Sequence, residues 1–477
     1  MRDTKNVLLI VIDQLRADCV FGELAAHIDL PNLRGLMDDA VTFQRHFSVV
    51  NPCGPSRASL LTGQYAMNHR SVRNGTPLRH DIPNVATEMR KSGYLPMLFG
   101  YTDTSQDPRV FHANDPALRT YEHYMNGFEE VVEMRFEMSY PWRAHLINQG
   151  YELATFADLF HPVSPTGGVP KINDPAPYKA KDSDTAFLTD QFLAIMPAYA
   201  KESWFAHLTY IRPHPPLIAP APFNDMYDPT KLPLPKRFDD PADEVAIHPF
   251  FEPSPPNRTP AGNVKGFPDL APSDENTQTL RAIYFGLITE VDEHIGRVIK
   301  FLKDSGQYDN TLIVVTADHG EMLGDRHSWG KFSVHEAAYH TPLIIREPGN
   351  AAQAGTIVTA PPKQSTSRPQ FWIGSVKISR TRWTVDRCCL FYVVLCRMIG
   401  ALTHSQSLIS VNRKHPRSGK KRLALAPAIH RWQSCATPIL RWSNLRRIFR
   451  QFYLITRNWA SRKTSRTNRS IKVISIG

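Results

Sequence analysis

The sequence is poor in cysteine, in long apolar runs and, over its last quarter, in acid. Six cysteines in 477 residues stand at irregular positions, which excludes the dense disulfide framework of a small secreted scaffold. The apolar run nearest the start, Val7 to Ile12, stops at Asp13, far short of the roughly 20 residues a membrane helix needs. It also lacks the cleavage site of a secretory signal. The chain therefore reads as cytoplasmic by default, with no membrane partner. From Pro361 onward there are 24 of the 56 Lys and Arg residues but one of the 45 acids, Asp386, which leaves 32 basic and 44 acidic residues, a net of −12, in the first 360. The overall charge of +11 therefore misdescribes the body, which does not carry the basic excess of a nucleic-acid binder.

What remains is a body of ordinary globular composition, 42% hydrophobic and 21% charged over the chain, long enough for a large core. It alternates strand and helix patterns. Asn6–Ile12 reads as a buried strand and Pro31–Leu36 as a short helix with proline near its start. Val41–Val50 is a further apolar segment, and Leu95–Gly100 and Trp204–Tyr210 read as strands. The stretch from Asp107 to Lys201 shows little clean periodicity. Pro220 to Pro272 is proline-rich and reads as a long surface loop shaping the mouth of a site. Asn276–Lys303 has helical spacing, with Leu280, Ile283, Leu287, Ile288 and Val291 on one side. Thr311–Ala317 and Pro342–Arg346 complete the strands.

The chemistry gathers around Cys53-Gly54-Pro55-Ser56-Arg57, continuing to Leu61-Thr62-Gly63. Pro55 and Ser56 suit a first helical turn, which places Cys53 just before a helix N-terminus, where unpaired N–H groups favour an anion. Arg57 returns one turn later, so a sulfur group and a guanidinium converge on one tetrahedral oxyanion. Asp13, Asp318 and His319 each follow a buried strand, the place where open α/β sheets put their chemistry. With Gln14 they form an oxygen-rich set with one nitrogen, suited to Ca²⁺, Mg²⁺ or Mn²⁺ rather than structural zinc. Taken singly, Asp13 and Asp318 would be helix caps; with the Cys53 motif between them, metal ligation is the better account. Cys19, outside any motif, reads as a small buried hydrophobe.

Cys-x-Pro-Ser-Arg followed by Leu-Thr-Gly resembles the sulfatase signature, in which the cysteine becomes formylglycine. Asp13-Gln14, Tyr101-Thr102, Arg212-Pro213-His214-Pro215 and Asp318-His319-Gly320-Glu321 with Lys331 match in order. The resemblance is to the sulfatase branch of the alkaline phosphatase superfamily, and within it to phosphonate monoester hydrolases and cytoplasmic arylsulfatases. It implies an α/β fold with an alkaline-phosphatase-like mixed sheet sandwiched by helices. It implies one divalent ion held by Asp13, Gln14, Asp318 and His319, and hydrolysis of a small sulfate or phosphonate (phosphate) ester. The nucleophile would be hydrated formylglycine from Cys53, installed by a formylglycine-generating enzyme and activated by the ion. Arg57 and Lys331 would neutralise non-bridging oxygens. His214 or His327 would protonate the leaving oxygen. Asn74, Tyr101, and Thr102 or Thr104 would line the pocket, while Arg212 positions the His214 loop. A homo-oligomer is compatible with this scheme.

The tail departs from the family. Residues 1–355 form the expected catalytic domain; 356–477 are basic, nearly acid-free and without periodicity, where a sulfatase continues into a C-terminal subdomain. Basic runs such as Lys420-Lys421-Arg422 would suit a polyanion. Back-translation offers a preferred account. With each codon started one base early, Phe371-Trp372-Ile373 must encode Leu then Asp, and Trp383-Thr384 must encode Asp. Pro362 to Val376 can then read E-A-V-D-I-A-P-T-I-L-D-W-I-G, a string typical of sulfatases. A reading-frame shift between about Gly355 and Pro362 would replace the native subdomain with a sequence that never evolved to fold.

Overall fold

The structure, a computed structural model, describes residues 6–359 apart from 138, 154 and 255–257. Its centre is one eight-stranded sheet in the order β4-β3-β5-β1-β6-β7-β2-β8. In chain order the strands are β1 (Asn6–Ile12), β2 (Val41–Phe47), β3 (Leu95–Gly100), β4 (Glu129–Glu133), β5 (Trp204–Tyr210), β6 (Thr311–Ala317), β7 (His340–Arg346) and β8 (Thr356–Val358). β4, β3, β5, β1 and β6 run parallel, β7 runs antiparallel to β6, β2 antiparallel to β7, and β8 parallel to β2. The expected mixed sheet is present.

β1 reads Asn-Val-Leu-Leu-Ile-Val-Ile and every residue in it is buried, because both faces of a central parallel strand are covered. Leu8, Ile10 and Ile12 point into one apolar cluster, shared with Leu33, Phe192 and the long helix Asp274–Asp304. Val7, Leu9 and Val11 point into the other, shared with Ala58, Leu61, Val85 and Met89. Alternation along one strand thus supplies the two layers of a helix–sheet–helix sandwich.

Three expectations need correction. Cys53 is the first residue of the helix Cys53–Thr62, after an extended Pro52, rather than the residue before it. The stretch expected to be a surface loop, 220–272, contains the short helix Pro241–Ile247 and buries Phe223, Leu232, Glu244 and Val264. The long helix is buried all round from Leu280 to Ile288, not along one side, since the 220–235 segment packs on its outer face. There Arg281 donates to the Pro233 carbonyl and Gln278 to that of Leu232. Nothing in the sequence spacing announces that cover.

No helix among the described residues is long and apolar enough to cross a membrane. Thr356–Val358 belongs to the sheet, while the expected out-of-frame segment from 360 onward lies outside the described residues.

Candidate active site

β1 and β6 are neighbours in parallel register, Ile12 beside Ala317. The next residue of each, Asp13 and Asp318, therefore emerges at the same carboxyl edge of the sheet. β5, on the other flank of β1, ends at Tyr210 beside Ile12 and delivers Arg212 and His214. β3 delivers Tyr101, and the β2 connection delivers Cys53. Five segments far apart in sequence meet at one edge because parallel strands all discharge on the same side.

Arg57 joins the two aspartates. Its Nη2 lies 3.1 Å from Asp13 Oδ2 and its Nε 2.9 Å from Asp318 Oδ2, and the residue is 1% exposed. The other oxygen of Asp318 accepts from the backbone N–H of Gln14 at 3.1 Å and of His319 at 2.8 Å. Ser56 Oγ donates to the Asp318 carbonyl at 2.5 Å, tying the start of the Cys53 helix to the end of β6. Gly54 donates to Asn74 Oδ1 at 3.0 Å. A Cβ at Gly54 would stand 3.0 Å from both that oxygen and the Asp103 carbonyl, so a side chain would push the helix start away from its anchor.

Cys53 Sγ lies 3.2 Å from His319 Nε2, 3.0 Å from Lys331 Nζ and 4.0 Å from Asp13 Oδ1. Ligand atoms of Asp13, Cys53, Asp318 and His319 all fall within 4.8 Å of one another. Lys331 Nζ also donates to Gln14 Oε1 and meets His214 Nε2, both at 2.8 Å. His214 Nδ1 faces the Pro215 carbonyl at 2.6 Å, so Nδ1 carries the hydrogen and Nε2 accepts from the ammonium.

Charge is balanced tightly. Burial works against ionising Asp13, but His214, Arg57 and Lys331 outweigh it and hold its carboxyl below the usual range. Burial, with the Lys331 ammonium beside it, pulls His214 down to about 3, so the ring is neutral at ordinary pH. Burial, reinforced by Asp13, pushes the Cys53 thiol well up despite Lys331. The same carboxylates and the thiol raise Lys331 in spite of its burial, so it stays charged.

Of the expected site residues, Asp13, Gln14, Cys53, Arg57, Tyr101, His214, Asp318, His319 and Lys331 come together. Tyr101 donates to Asp13 Oδ2 and accepts from Arg57 Nη2 at 3.1 Å. Asn74 is adjacent through Gly54. Thr102 and Thr104 turn their hydroxyls to each other at 2.9 Å, and Thr102 also serves His123 and Met125 backbone; they brace a loop. His327 Nε2 bonds the Phe238 carbonyl at 2.7 Å and makes no described contact with the cluster. Arg57 is taken up by carboxylates, so its guanidinium faces the acids rather than open space.

Two residues had no assigned role. Asp103, between the two threonines, is buried and lies 3.5 Å from Arg57 Nε with a left-handed backbone, φ 48°. That conformation is one Asp tolerates better than most residues, a faint signal at best. Glu321 holds the Gln14 amide through its Oε2, and its Oε1 accepts from Leu323 N–H at 2.9 Å and from Gly330 N–H.

Two carboxylates and one imidazole within this radius, with the Gln14 amide oxygen held on Lys331 beside Cys53, fit a hard divalent cation with mixed O/N ligation. The buried acids in front of Cys53 are the chemistry such an ion requires.

The family model described as Sulfatase matches residues 5–370. The multifunctional alkaline phosphatase superfamily protein of Trinickia caryophylli is 39% identical over 364 residues, 74% of this chain and 70% of that protein. The choline-sulfatase of Rhizobium meliloti is 27% identical over 353 residues, 72% of this chain and 63% of the relative. Among solved structures, the phosphonate monoester hydrolase from Silicibacter pomeroyi is 69% identical with a TM-score of 0.73, covering 75% of this chain and 70% of that one. That of Agrobacterium radiobacter is 39% identical with a TM-score of 0.69 over 74% and 70%. With a match over most of its length and the signature cysteine placed between strand-end acids, the chain belongs to the sulfatase family.

Proposed function

We propose that this protein is a metal-dependent hydrolase of sulfate and phosphonate (phosphate) monoesters whose nucleophile is formylglycine made from Cys53. The observation that carries it is the position of Cys53 Sγ, within reach of His319 and Lys331 and ringed by acids. A thiol whose ionisation burial and Asp13 suppress is a poor nucleophile. A hydrated aldehyde at the same place offers hydroxyl groups instead. Asp13, Gln14, Asp318 and His319 would hold the ion, which when bound supplies Lewis-acid activation of that nucleophile and charge neutralisation.

The chain's own side chains do the rest. Arg57 pins both aspartates through separate nitrogens, which would hold their carboxylates in place for a bound cation. Lys331 is fixed by Gln14 and His214 and stands 3.0 Å from the nucleophile's position, where it can pair with a non-bridging ester oxygen. The Lys331 ammonium, 2.8 Å from His214 Nε2, also stands beside that position, where it can hydrogen-bond the departing alkoxide. A formylglycine-generating enzyme is the required partner in the cytoplasm.

The test uses the full chain co-expressed with that enzyme, with mass spectrometry to read the modification at Cys53. Turnover of a nitrophenyl sulfate and a nitrophenyl phenylphosphonate is expected, lost on chelation and lost in Cys53→Ala. A modified, Mn²⁺-loaded chain that turns over neither ester overturns the proposal. We also infer that the tail from about residue 360 is out of frame. Similarity ending near residue 370 and 24 basic residues against one acid from Pro361 onward support this; genomic DNA lacking the sulfatase strings in the alternative frame would refute it.

A further inference from the structure

Gln14 is an unusual residue for its place. Its backbone is left-handed, φ 66°, where a long side chain brings strain and no local benefit. Its amide lies between two groups of opposite demand. On one side is the Glu321 carboxylate, which only accepts; on the other is the Lys331 ammonium, which only donates. The amide therefore has one allowed orientation. NH₂ must face Glu321, and the carbonyl oxygen must face Lys331, whose ammonium stands 3.0 Å from Cys53 Sγ.

Glu321 is itself fixed. The Gln14 amide takes Oε2, while the backbone N–H groups of Leu323 and Gly330 take Oε1. Gly330 immediately precedes Lys331, so one buried carboxylate orients the amide and anchors the segment carrying the lysine. The residue is 2% exposed and touches neither Cys53 nor the two aspartates in any described contact.

We propose that Glu321 is a positioning residue that selects which end of the Gln14 amide is presented to the cation. This rests on the metal site proposed above. In Glu321→Gln, the new Oε1 must still serve Leu323 and Gly330, so its NH₂ meets the NH₂ of Gln14. Gln14 must then turn over and present hydrogens to the cation. In the exchange variant Gln14→Glu/Glu321→Gln every hydrogen bond is restored, with a carboxylate oxygen toward the cation.

The experiment is calorimetric titration of Mn²⁺ into the chelator-stripped full chain, with thermal melting alongside as a check on folding. Glu321→Gln should weaken Mn²⁺ binding by about 10- to 100-fold, the usual consequence of losing an outer partner of a ligand. In a Gln14→Ala background the same change should cost less than about 3-fold, because the residue it acts through is gone. The exchange variant should recover to within about 10-fold of the wild-type chain. Wild-type affinity in Glu321→Gln overturns the inference. So does an undiminished effect in Gln14→Ala, which would mean Glu321 acts by its charge alone. So does an exchange variant that melts normally yet binds no better than Glu321→Gln. A wild-type chain that binds no Mn²⁺ removes the metal site itself and the inference with it.

Discussion

Glu290, in the middle of the long helix, makes stability depend on pH in a direction opposite to that of most carboxylates. It is 0% exposed, and the Ser183 side chain, which favours the ionised form, is outweighed by that burial. Arg212 is nearby but already paired with Asp184 at 3.0 Å. Burial, then the Asp184 charge, push Glu290 from the ordinary 4.5 up to about 8. A carboxyl raised on folding binds its proton more tightly in the native state. Its stability contribution is therefore full below about pH 4.5 and is lost as pH rises towards about 8. The gap corresponds to a total on the order of 5 kcal/mol, of which about 3–4 is lost between about pH 5 and about pH 8. Glu290→Gln removes the titration. Urea unfolding at both pH values, wild type against variant, isolates the effect. Glu122, pushed up to about 7 mainly by burial, titrates in both proteins and cancels in the difference. The variant should lose less stability across that window by several kcal/mol. A difference below about 1 kcal/mol would show that Glu290 is solvated or paired, and the reasoning would fail.

Further outcomes follow from the same geometry. Arg57→Lys keeps one charge but cannot span Asp13 and Asp318 from two nitrogens; turnover should fall by about 100-fold or more, measured on either nitrophenyl ester. Arg212→Lys cannot serve the His214 and Pro216 carbonyls, at 3.2 and 3.0 Å from Nη1, while also pairing with Asp184, at 3.0 Å from Nε, so kcat should fall by about 10- to 100-fold with a smaller change in KM. Leu9→Ala, wholly buried in β1, should cost about 2–5 kcal/mol in urea unfolding and leave the site chemistry intact in the folded fraction.

Much of the framework was legible because it is built from local signals. β1, β3, β5 and β6 are short apolar runs bounded by polar or turn residues, and such runs betray buried parallel strands. The helix at Cys53 announces itself through Pro55 and the alternation after it. Less was legible between 107 and 201, where the strand Glu129–Glu133 is glutamate in three of five residues. It lies at one end of the sheet's strand order, where burial on both faces is not required. The packing of 220–235 over the long helix was hidden for a related reason: its contacts run from arginine and glutamine side chains to backbone carbonyls, which leave no periodicity.

The residue types at the site, their order along the chain and the strand ends that present them were determined by sequence alone, because parallel strands deliver their following residues to one edge. Partnership was decided only in three dimensions. That Arg57 faces the aspartates, that Thr102 and Thr104 bond each other, and that Glu321 reaches back across 307 positions to Gln14 depend on side-chain directions set by packing. Hydrogen bonds and ion pairs act over a few ångströms, and sequence separation carries no information about which groups close that distance.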